Sequence, residues 1–201
     1  MWGLASMNKI ILIRHVETDL ACTFCGHSDP DLNAAGEHRL QSLIKEVGRL
    51  GITRIYASDL RRASRTAAGI GERTGAPVEL RSGLREIHFG RWEGLTWEQI
   101  ERNYPREAEL WVREFPECSA PDGEAYRDFV ARVEAEFSLV IAQQRNTPSA
   151  VVTHRGVMQY AMSRFFGFTQ DEARKRTENY GAIVLATPQD LCEIDSPGIR
   201  A

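Results

Sequence analysis

Two arginines and two histidines stand where strand-like segments of this chain end. Arg14 and His15 directly follow the apolar run "KIILI", and His154 follows "AVVT" with no turn residue between. Arg62 falls in the first turn of the helix predicted after "RIYAS". Because the carboxyl ends of parallel strands share one edge of an open α/β sheet, where ligands bind, we expect these four side chains to converge.

Such a convergence would form a site for a phosphoryl group, whose oxygens guanidinium groups bind bidentately. Neighbouring arginines disfavour a protonated imidazole, so one histidine can stay neutral and attack phosphorus. A departing alkoxide needs a proton, which a carboxyl group must supply. Glu86, in the glycine-flanked loop "GLREIHFG", is the preferred candidate, and Glu17 and Glu93 are weaker ones. The predicted chemistry is phosphoryl transfer without a metal or another cofactor, because arginine and histidine replace Mg²⁺.

Strands and helices must alternate to bring these groups together. Short apolar runs predict strands, and apolar residues at helical spacing predict the helices between them. This alternation favours one α/β domain with a largely parallel sheet. The predicted strands are "KIILI", "ITRIYAS", "PVEL", "AVVT" and "AIVLAT", with "LCEI" as a candidate for one more.

Capping residues set the expected bounds of the first two helices. Asn33 is the expected N-cap of the first helix, and Gly51 is its expected stop signal. Ser58 or Asp59 caps the second helix, which runs toward Gly75. Each helix follows a strand, so the βα unit repeats.

We expect residues 1–201 to form a single domain, with a disordered tail at 1–7 and an insertion at 89–123 over one end of the sheet. An apolar stripe over residues 126–141 is the strongest helix signal in the chain, and we expect the stripe to be core and nothing else. Two short helices, broken at Pro105, are expected within the insertion. Its tryptophans should form a small core there: Trp92, Trp97 and Trp111.

Composition narrows the class of partner. The chain has 201 residues, a formal net charge of −3 and an isoelectric point near 6.0, so a basic surface for nucleic acid or anionic membranes is not expected. No apolar run approaches 18 residues, and the first six residues do not resemble a signal peptide, which predicts a cytoplasmic protein. The expected partner is a small phosphate ester, and the expected state is a monomer or a homodimer.

Cys22 and Cys25 form a CxxC pair that raises a third hypothesis, a zinc or redox module. Zinc usually needs four ligands from two such pairs, and the sequence offers no second one. We therefore expect loop cysteines and no metal site. His27, His38 and His88 are expected at the surface, although His88 is close enough to the Glu86 loop to line the site.

Four motifs, spread from about residue 9 to 187, resemble the histidine phosphatase superfamily in its phosphoglycerate-mutase-like branch. They are "LIRHVET", "SDLRRASRTA", "LREIHFGRWEG" and "VVTHRGV", in the family's order. The resemblance implies a three-layer α/β/α fold. It also implies that His15 is the phosphohistidine nucleophile, that Glu86 is the proton donor, and that three further residues bind phosphate: Arg14, Arg62 and His154. Broad-specificity acid phosphatases and α-ribazole phosphatases are the most similar members.

Three residues depart from the family pattern. Val16 and Arg155 stand where glycine is common, and Ala21 stands where many members have a phosphate-contacting asparagine. Val16 and Ala21 keep one alternative open, a non-catalytic binder of phosphorylated ligands. The other alternative is a cofactor-dependent phosphoglycerate mutase, which is disfavoured because the chains of such mutases tend to be longer and to have a larger insertion. Arg65 is the alternative to Arg62 as the second arginine, because helical periodicity lets only some of this arginine cluster face the pocket.

Overall fold

The computed structural model describes residues 9–144 and 147–188. The expected tail at 1–7 and the candidate strand "LCEI" lie outside the described residues. Seven helices occur in the described part of the chain, and none of them is long and apolar enough to cross a membrane.

The described residues contain one sheet of five strands. The strands are β1 Ile10–Arg14, β2 Arg54–Ala57, β3 Val78–Leu80, β4 Ser149–Thr153 and β5 Ile183–Ala186. Their order in the sheet is β3-β2-β4-β1-β5. β1, β2, β3 and β4 pair in parallel, whereas β5 pairs antiparallel with β1. The predicted, largely parallel sheet is therefore confirmed, and β5 approaches the ligand-binding edge with its N-terminal end.

The helices form where the apolar periodicity placed them, but two predicted ends are wrong. The first helix ends at Val47, because Gly48 caps it, and Gly51 lies beyond it in a left-handed conformation. The second helix is preceded by Leu60, which makes no side-chain cap. The helices are α1 Ala34–Val47, α2 Arg61–Thr74, α3 Trp97–Asn103, α4 Pro105–Glu114, α5 Tyr126–Ala142, α6 Arg155–Phe165 and α7 Gln170–Arg176.

Two hydrophobic cores lie on the two faces of the sheet. Successive side chains of β1 alternate between them, with Ile10 and Leu12 in one core and Ile11 and Ile13 in the other. The first core packs against α5, α6 and α7, and the second packs against α1 and α2. This arrangement confirms the three-layer α/β/α architecture.

A third, smaller core lies within residues 89–123. Trp92 is fully buried there, and Trp97 and Trp111 pack against it edge to face. The expected tryptophan core is therefore present. Phe24, from the loop after β1, packs against this core, so that loop is in contact with residues 89–123.

Candidate active site

His15 and His154 meet at the carboxyl edge of the sheet because β1 and β4 are paired in parallel register. The backbone N–H of His15 donates to the carbonyl of Thr153, the last residue of β4, at 2.9 Å. The two imidazole ring centroids are 5.1 Å apart, and both side chains are buried. The predicted convergence of the two histidines is thus present.

A hydrogen bond fixes the reactive nitrogen of His15. Its Nδ1 lies 2.7 Å from the carbonyl oxygen of Val16. A carbonyl oxygen can only accept, so Nδ1 carries the hydrogen and Nε2 of the neutral ring keeps its lone pair. Val16 itself is buried in the core and is not among the described residues with positive φ. A valine therefore fits where glycine is common.

Electrostatics keep both imidazoles neutral. Burial lowers the pKa of His15 well below its usual value, and the charges of Arg62 and Arg14 lower it further. The pKa of His154 is also lowered well below its usual value, first by burial and then by Arg62 and His15. A neutral, buried imidazole with a free Nε2 has the protonation state that a nucleophile needs at neutral pH.

His154 is oriented by the end of β2. Its Nε2 lies 2.9 Å from the hydroxyl of Ser58. Its Nδ1 is buried and has no hydrogen-bond partner in the described parts of the chain. Asp59 forms an ion pair with Arg85 at 2.6 Å. Because Ser58 and Asp59 both have these other partners, neither of them caps α2.

Arg14 is held in place from the segment before β5. Its guanidinium donates to the carbonyls of Thr177 and Glu178 and lies 3.9 Å from the ring centroid of Tyr180. The Tyr180 ring also lies beside His15, at 5.5 Å between centroids. Sequence reasoning missed Tyr180, because this contact depends on the antiparallel entry of β5. Its one sequence signal is its position directly before Gly181 and the strand-like "AIVLA".

Arg62 is fully buried and supports the loop after β1. Its guanidinium donates to the carbonyls of Gly26 and Ser28, each at 2.7 Å, and to that of Cys25 at 3.3 Å. By contrast, Arg65 is exposed and pairs with Asp31 at 2.7 Å. The structure therefore places Arg62, not Arg65, at the histidine cluster.

Three buried nitrogens at this edge lack a hydrogen-bond partner among the residues that the structure describes. They are Arg14 Nε, Arg62 Nε and His154 Nδ1. Buried polar groups are nearly always satisfied in proteins, so unpaired ones need an explanation. The two arginine nitrogens are obligatory donors, and a tetrahedral anion beside His15 would satisfy them.

Glu86 is buried at the N-terminus of α6. Its carboxylate accepts from the backbone N–H groups of Gly156, at 2.9 Å, and Ile87, at 3.1 Å. Burial nevertheless raises the pKa of Glu86, which favours the protonated form that a general acid needs. A Cβ at position 156 would lie 2.5 Å from Glu86 Oε1, so only glycine lets the carboxyl group approach the helix this closely.

Arg132 of α5 holds the loop that carries Glu86. Its guanidinium donates to the backbone carbonyls of Gly83, Arg85 and Glu86, at 2.6 to 3.0 Å, and pairs with Glu124 at 2.6 Å. The expected core role of the apolar stripe over 126–141 is confirmed, because its side chains pack in the first hydrophobic core, whereas the polar contacts of Arg132 were not predicted. No motif marks Arg132; only its place on the polar side of the stripe distinguishes it.

The two weaker acid candidates have structural partners. Glu93 accepts backbone N–H groups from Gly26, His27, Ser28 and Phe89, at 2.8 to 3.0 Å, and these bonds lower its pKa despite partial burial. It therefore joins the loop after β1 to the Glu86 loop as a carboxylate. Glu17 accepts from the side chain of Asn33 at 3.0 Å.

His88 and the CxxC pair lie near the site without joining the histidine cluster. The His88 ring packs 4.8 Å from that of His27, whose Nε2 donates to the Glu86 carbonyl. Cys22 and Cys25 carry free thiols. Within residues 9–144 and 147–188, no three His, Cys, Asp or Glu side chains gather as a metal site would require.

The sequence model of the histidine phosphatase superfamily (branch 1) matches residues 10–195. The chain belongs to the histidine phosphatase superfamily. This membership confirms the predicted family and supports the predicted class of phosphoric monoester hydrolase. The matched region contains all five candidate residues: Arg14, His15, Arg62, Glu86 and His154.

Two relatives that are named as phosphatases are similar along most of this chain. Phosphoserine phosphatase 1 of Hydrogenobacter thermophilus is 29% identical over 177 residues, which cover 83% of this chain and 84% of the relative. Glucosyl-3-phosphoglycerate phosphatase of Mycobacterium tuberculosis is 32% identical over 160 residues, covering 75% and 71%.

Solved structures share the fold. The native mycobacterial glucosyl-3-phosphoglycerate phosphatase superimposes with a TM-score of 0.74 at 27% identity, over 89% of each chain. The α-ribazole phosphatase of Shigella flexneri gives a TM-score of 0.80 at 23% identity, over 90% of this chain and 94% of that one. The second similarity supports the phosphoglycerate mutase-like fold alone.

Proposed function

We propose that this protein is a metal-independent phosphomonoesterase that acts through a phosphohistidine on His15. The observation that carries the proposal is the free Nε2 of His15 at a sheet edge where three buried nitrogens lack a partner among the described residues: Arg14 Nε, Arg62 Nε and His154 Nδ1. Together they supply a nucleophile and donors for phosphoryl oxygens at one point, in a buried setting where charged hydrogen bonds are strong.

In the first half-reaction, Nε2 of His15 attacks phosphorus and the bond from phosphorus to the ester oxygen breaks. Glu86, protonated because of its raised pKa, gives its proton to the departing oxygen. Arg14, Arg62 and His154 hold the phosphoryl oxygens as their charge redistributes. The products are a free alcohol and phosphohistidine.

In the second half-reaction, water attacks the phosphohistidine. The Glu86 carboxylate takes a proton from this water, and the phosphorus–nitrogen bond breaks with its electron pair returning to Nε2. Phosphate leaves, and both His15 and Glu86 regain their starting protonation states. Each group thus acts in both directions, as microscopic reversibility requires.

The relatives support a small phosphorylated metabolite as the substrate. The names of two of them specify phosphoserine and glucosyl-3-phosphoglycerate, which are both phosphate monoesters of small polar alcohols. This supports a small-molecule phosphate ester, not a macromolecule, as the partner of the site.

The direct test is hydrolysis of p-nitrophenyl phosphate by pure protein in EDTA between pH 5 and 8. We expect turnover in the wild type and its loss in His15→Ala, with unchanged thermal stability as the control for folding.

No release of nitrophenol by the wild type would favour the non-catalytic binder. Conversion of 3-phosphoglycerate to 2-phosphoglycerate, instead of to free phosphate, would identify the mutase. Stoichiometric zinc in metal analysis would support a module at Cys22 and Cys25.

A further inference from the structure

A cavity of about 610 Å³ opens beside Glu86 and has no role yet in the proposed reaction. It lies between the insertion, the Glu86 loop and helices α5, α6 and α7. A general acid must be within hydrogen-bond reach of the oxygen that it protonates. The alcohol part of the ester must therefore extend from the Glu86 side of the phosphate, into this cavity.

The cavity is larger than a three-carbon acid needs. Seven non-hydrogen atoms, at no more than about 30 Å³ each, the volume of a water molecule in the liquid, would fill about a third of it. Its volume falls within the range of sites that enclose whole organic ligands, about 300 to 1,000 Å³. Size alone therefore favours a bulkier leaving group.

Aromatic side chains form much of the wall. Trp111 and Phe115 come from the insertion, with ring centroids 4.5 Å apart, and Tyr126 packs edge to face against Phe115 at 5.2 Å. Further rings from the loops and α6 complete this wall: Phe24, Phe89 and Tyr160. Rings held by one another present flat apolar faces at little entropic cost, which suits a planar or apolar body.

Cationic side chains line the same cavity. Arg164 is neutralised by Glu134 at 2.8 Å, but Arg155 and Arg174 have no carboxylate within 4.0 Å among the described residues. Arg155 is the first residue of α6, where the helix dipole disfavours a cation, so helix stability does not explain it. Arg155 directly follows His154 and lines the cavity together with Glu86 and Gly156, so it lies at the phosphate end of the cavity.

We infer that the preferred substrates are phosphate monoesters of a bulky aromatic or apolar alcohol that carries a further acidic group. Trp111 and Phe115 bind the apolar body of this alcohol, and Arg155 binds its acidic group. This inference rests on the proposed function and adds the class of leaving group to it. Arg155 is thereby a specificity residue.

The test compares kcat/KM, from phosphate release, for 2-naphthyl phosphate, 6-carboxy-2-naphthyl phosphate and 3-phosphoglycerate. We expect the carboxylated naphthyl ester to be the best substrate and 3-phosphoglycerate the poorest. Phe115 is half-exposed, and Phe115→Ala should lower kcat/KM about tenfold for both naphthyl esters, because the loss of one aromatic contact weakens binding about tenfold. The kcat/KM for 3-phosphoglycerate should stay within about twofold of the wild-type value. Val112→Ala, on the exposed side of α4, is the matched control.

Arg155→Gln should raise KM about tenfold for 6-carboxy-2-naphthyl phosphate and leave KM for 2-naphthyl phosphate unchanged, as expected for one lost ion pair at a partly wet site. Arg127→Gln is the exposed control. Equal losses on all three esters would mean that Arg155 binds the phosphate, and would overturn the inference. A preference for 3-phosphoglycerate would overturn it too, while leaving the phosphatase intact.

Binding to His15→Ala, followed by tryptophan fluorescence, separates this inference from the proposed function. Tighter binding of the carboxylated naphthyl ester than of 3-phosphoglycerate would support the inference even if the wild type hydrolysed nothing. Equal or reversed affinities would contradict it.

Discussion

Replacing Arg132 with methionine should loosen the loop that carries Glu86 while leaving the histidine cluster in place. Arg132 is 22% exposed and its partner Glu124 is 16% exposed, so both charges are largely removed from water. Methionine keeps an apolar stem of similar length but removes every donor. Glu124 and the carbonyls of Gly83, Arg85 and Glu86 then lose this partner together.

The size of the effect follows from these contacts. Removing one side of a buried ion pair costs about 3 to 5 kcal/mol, and the residual exposure favours the lower end, about 3 kcal/mol. In a domain of this size each kcal/mol lowers Tm by about 2 to 4 °C, so we expect a loss of about 6 to 12 °C. A displacement of the Glu86 carboxyl by about 1 Å would lower kcat for alkyl phosphates by up to about 100-fold.

Thermal unfolding at pH 7 and steady-state kinetics measure both effects. Arg65→Met is the matched control, because its exposed pairs with Asp31 and Glu37 should contribute no more than about 1 kcal/mol. The double variant Arg132→Met/Glu124→Met should recover part of the lost stability, since no charge is then left unpaired. In Arg132→Met, kcat should fall for an alkyl phosphate far more than for p-nitrophenyl phosphate, whose leaving group needs little protonation. Equal Tm losses in Arg132→Met and Arg65→Met, or equal kcat losses on the two substrates, would refute the reasoning.

Three further predictions concern the proton donor and the buried histidines. Glu86→Gln should lower the rate of alkyl phosphate hydrolysis by about 10² to 10⁴-fold and remove the alkaline limb of the pH profile of kcat/KM. With p-nitrophenyl phosphate, a burst of nitrophenol should still be visible by stopped flow. An unchanged alkaline limb would assign that limb to another group. Gly156→Ala should displace the Glu86 carboxyl group, because the added Cβ would lie 2.5 Å from Glu86 Oε1. The turnover of alkyl phosphates should fall about 10 to 100-fold, with little change for p-nitrophenyl phosphate. Wild-type rates on both esters would show that the close approach of Glu86 to α6 is not needed. The free energy of unfolding, measured by urea titrations at about pH 5 to 7, should fall as the pH drops below about 6.5. The expected slope is up to about 1.4 kcal/mol per pH unit for each histidine. The reason is that the pKa values of His15 and His154 in the folded protein lie below the unfolded value, so only the unfolded rings take up protons in this range. Glu86, whose pKa is raised in the folded protein, changes the free energy of unfolding with pH in the opposite direction. The variant His154→Asn therefore isolates the contribution of a histidine and should make the pH dependence less steep. An unaltered slope in this variant would contradict the assignment.

The strands and the histidine pair could be predicted because both follow from local sequence. A buried strand needs a continuous apolar run, and a polar group directly after such a run must lie at the sheet edge. The parallel register of β1 and β4 then brings His15 to His154 without any further information. Helix ends were less predictable, because Ser58 and Asp59 have tertiary partners that outcompete a capping role.

The supports of the site could not be predicted, because each depends on contacts between distant segments. Arg132 reaches a loop nearly 50 residues away in sequence, and Arg14 is held by carbonyls more than 160 residues away. Glu93 resembled a candidate acid by position, yet four backbone donors make it a structural carboxylate. Residue type and spacing predict the reacting groups, whereas burial raises the pKa of Glu86 and long-range hydrogen bonds lower that of Glu93, and both depend on the folded structure.

The central claim is that a neutral His15, with Nε2 free, takes up the phosphoryl group. Rapid quench of a Glu86→Gln reaction with p-nitrophenyl phosphate, followed by peptide mass spectrometry under alkaline conditions, tests it most directly. The account predicts a phosphate that is labile in acid and stable in base, located on the peptide that contains His15. Phosphate on His154 or another residue, or a full nitrophenol burst without any phosphopeptide, would contradict it.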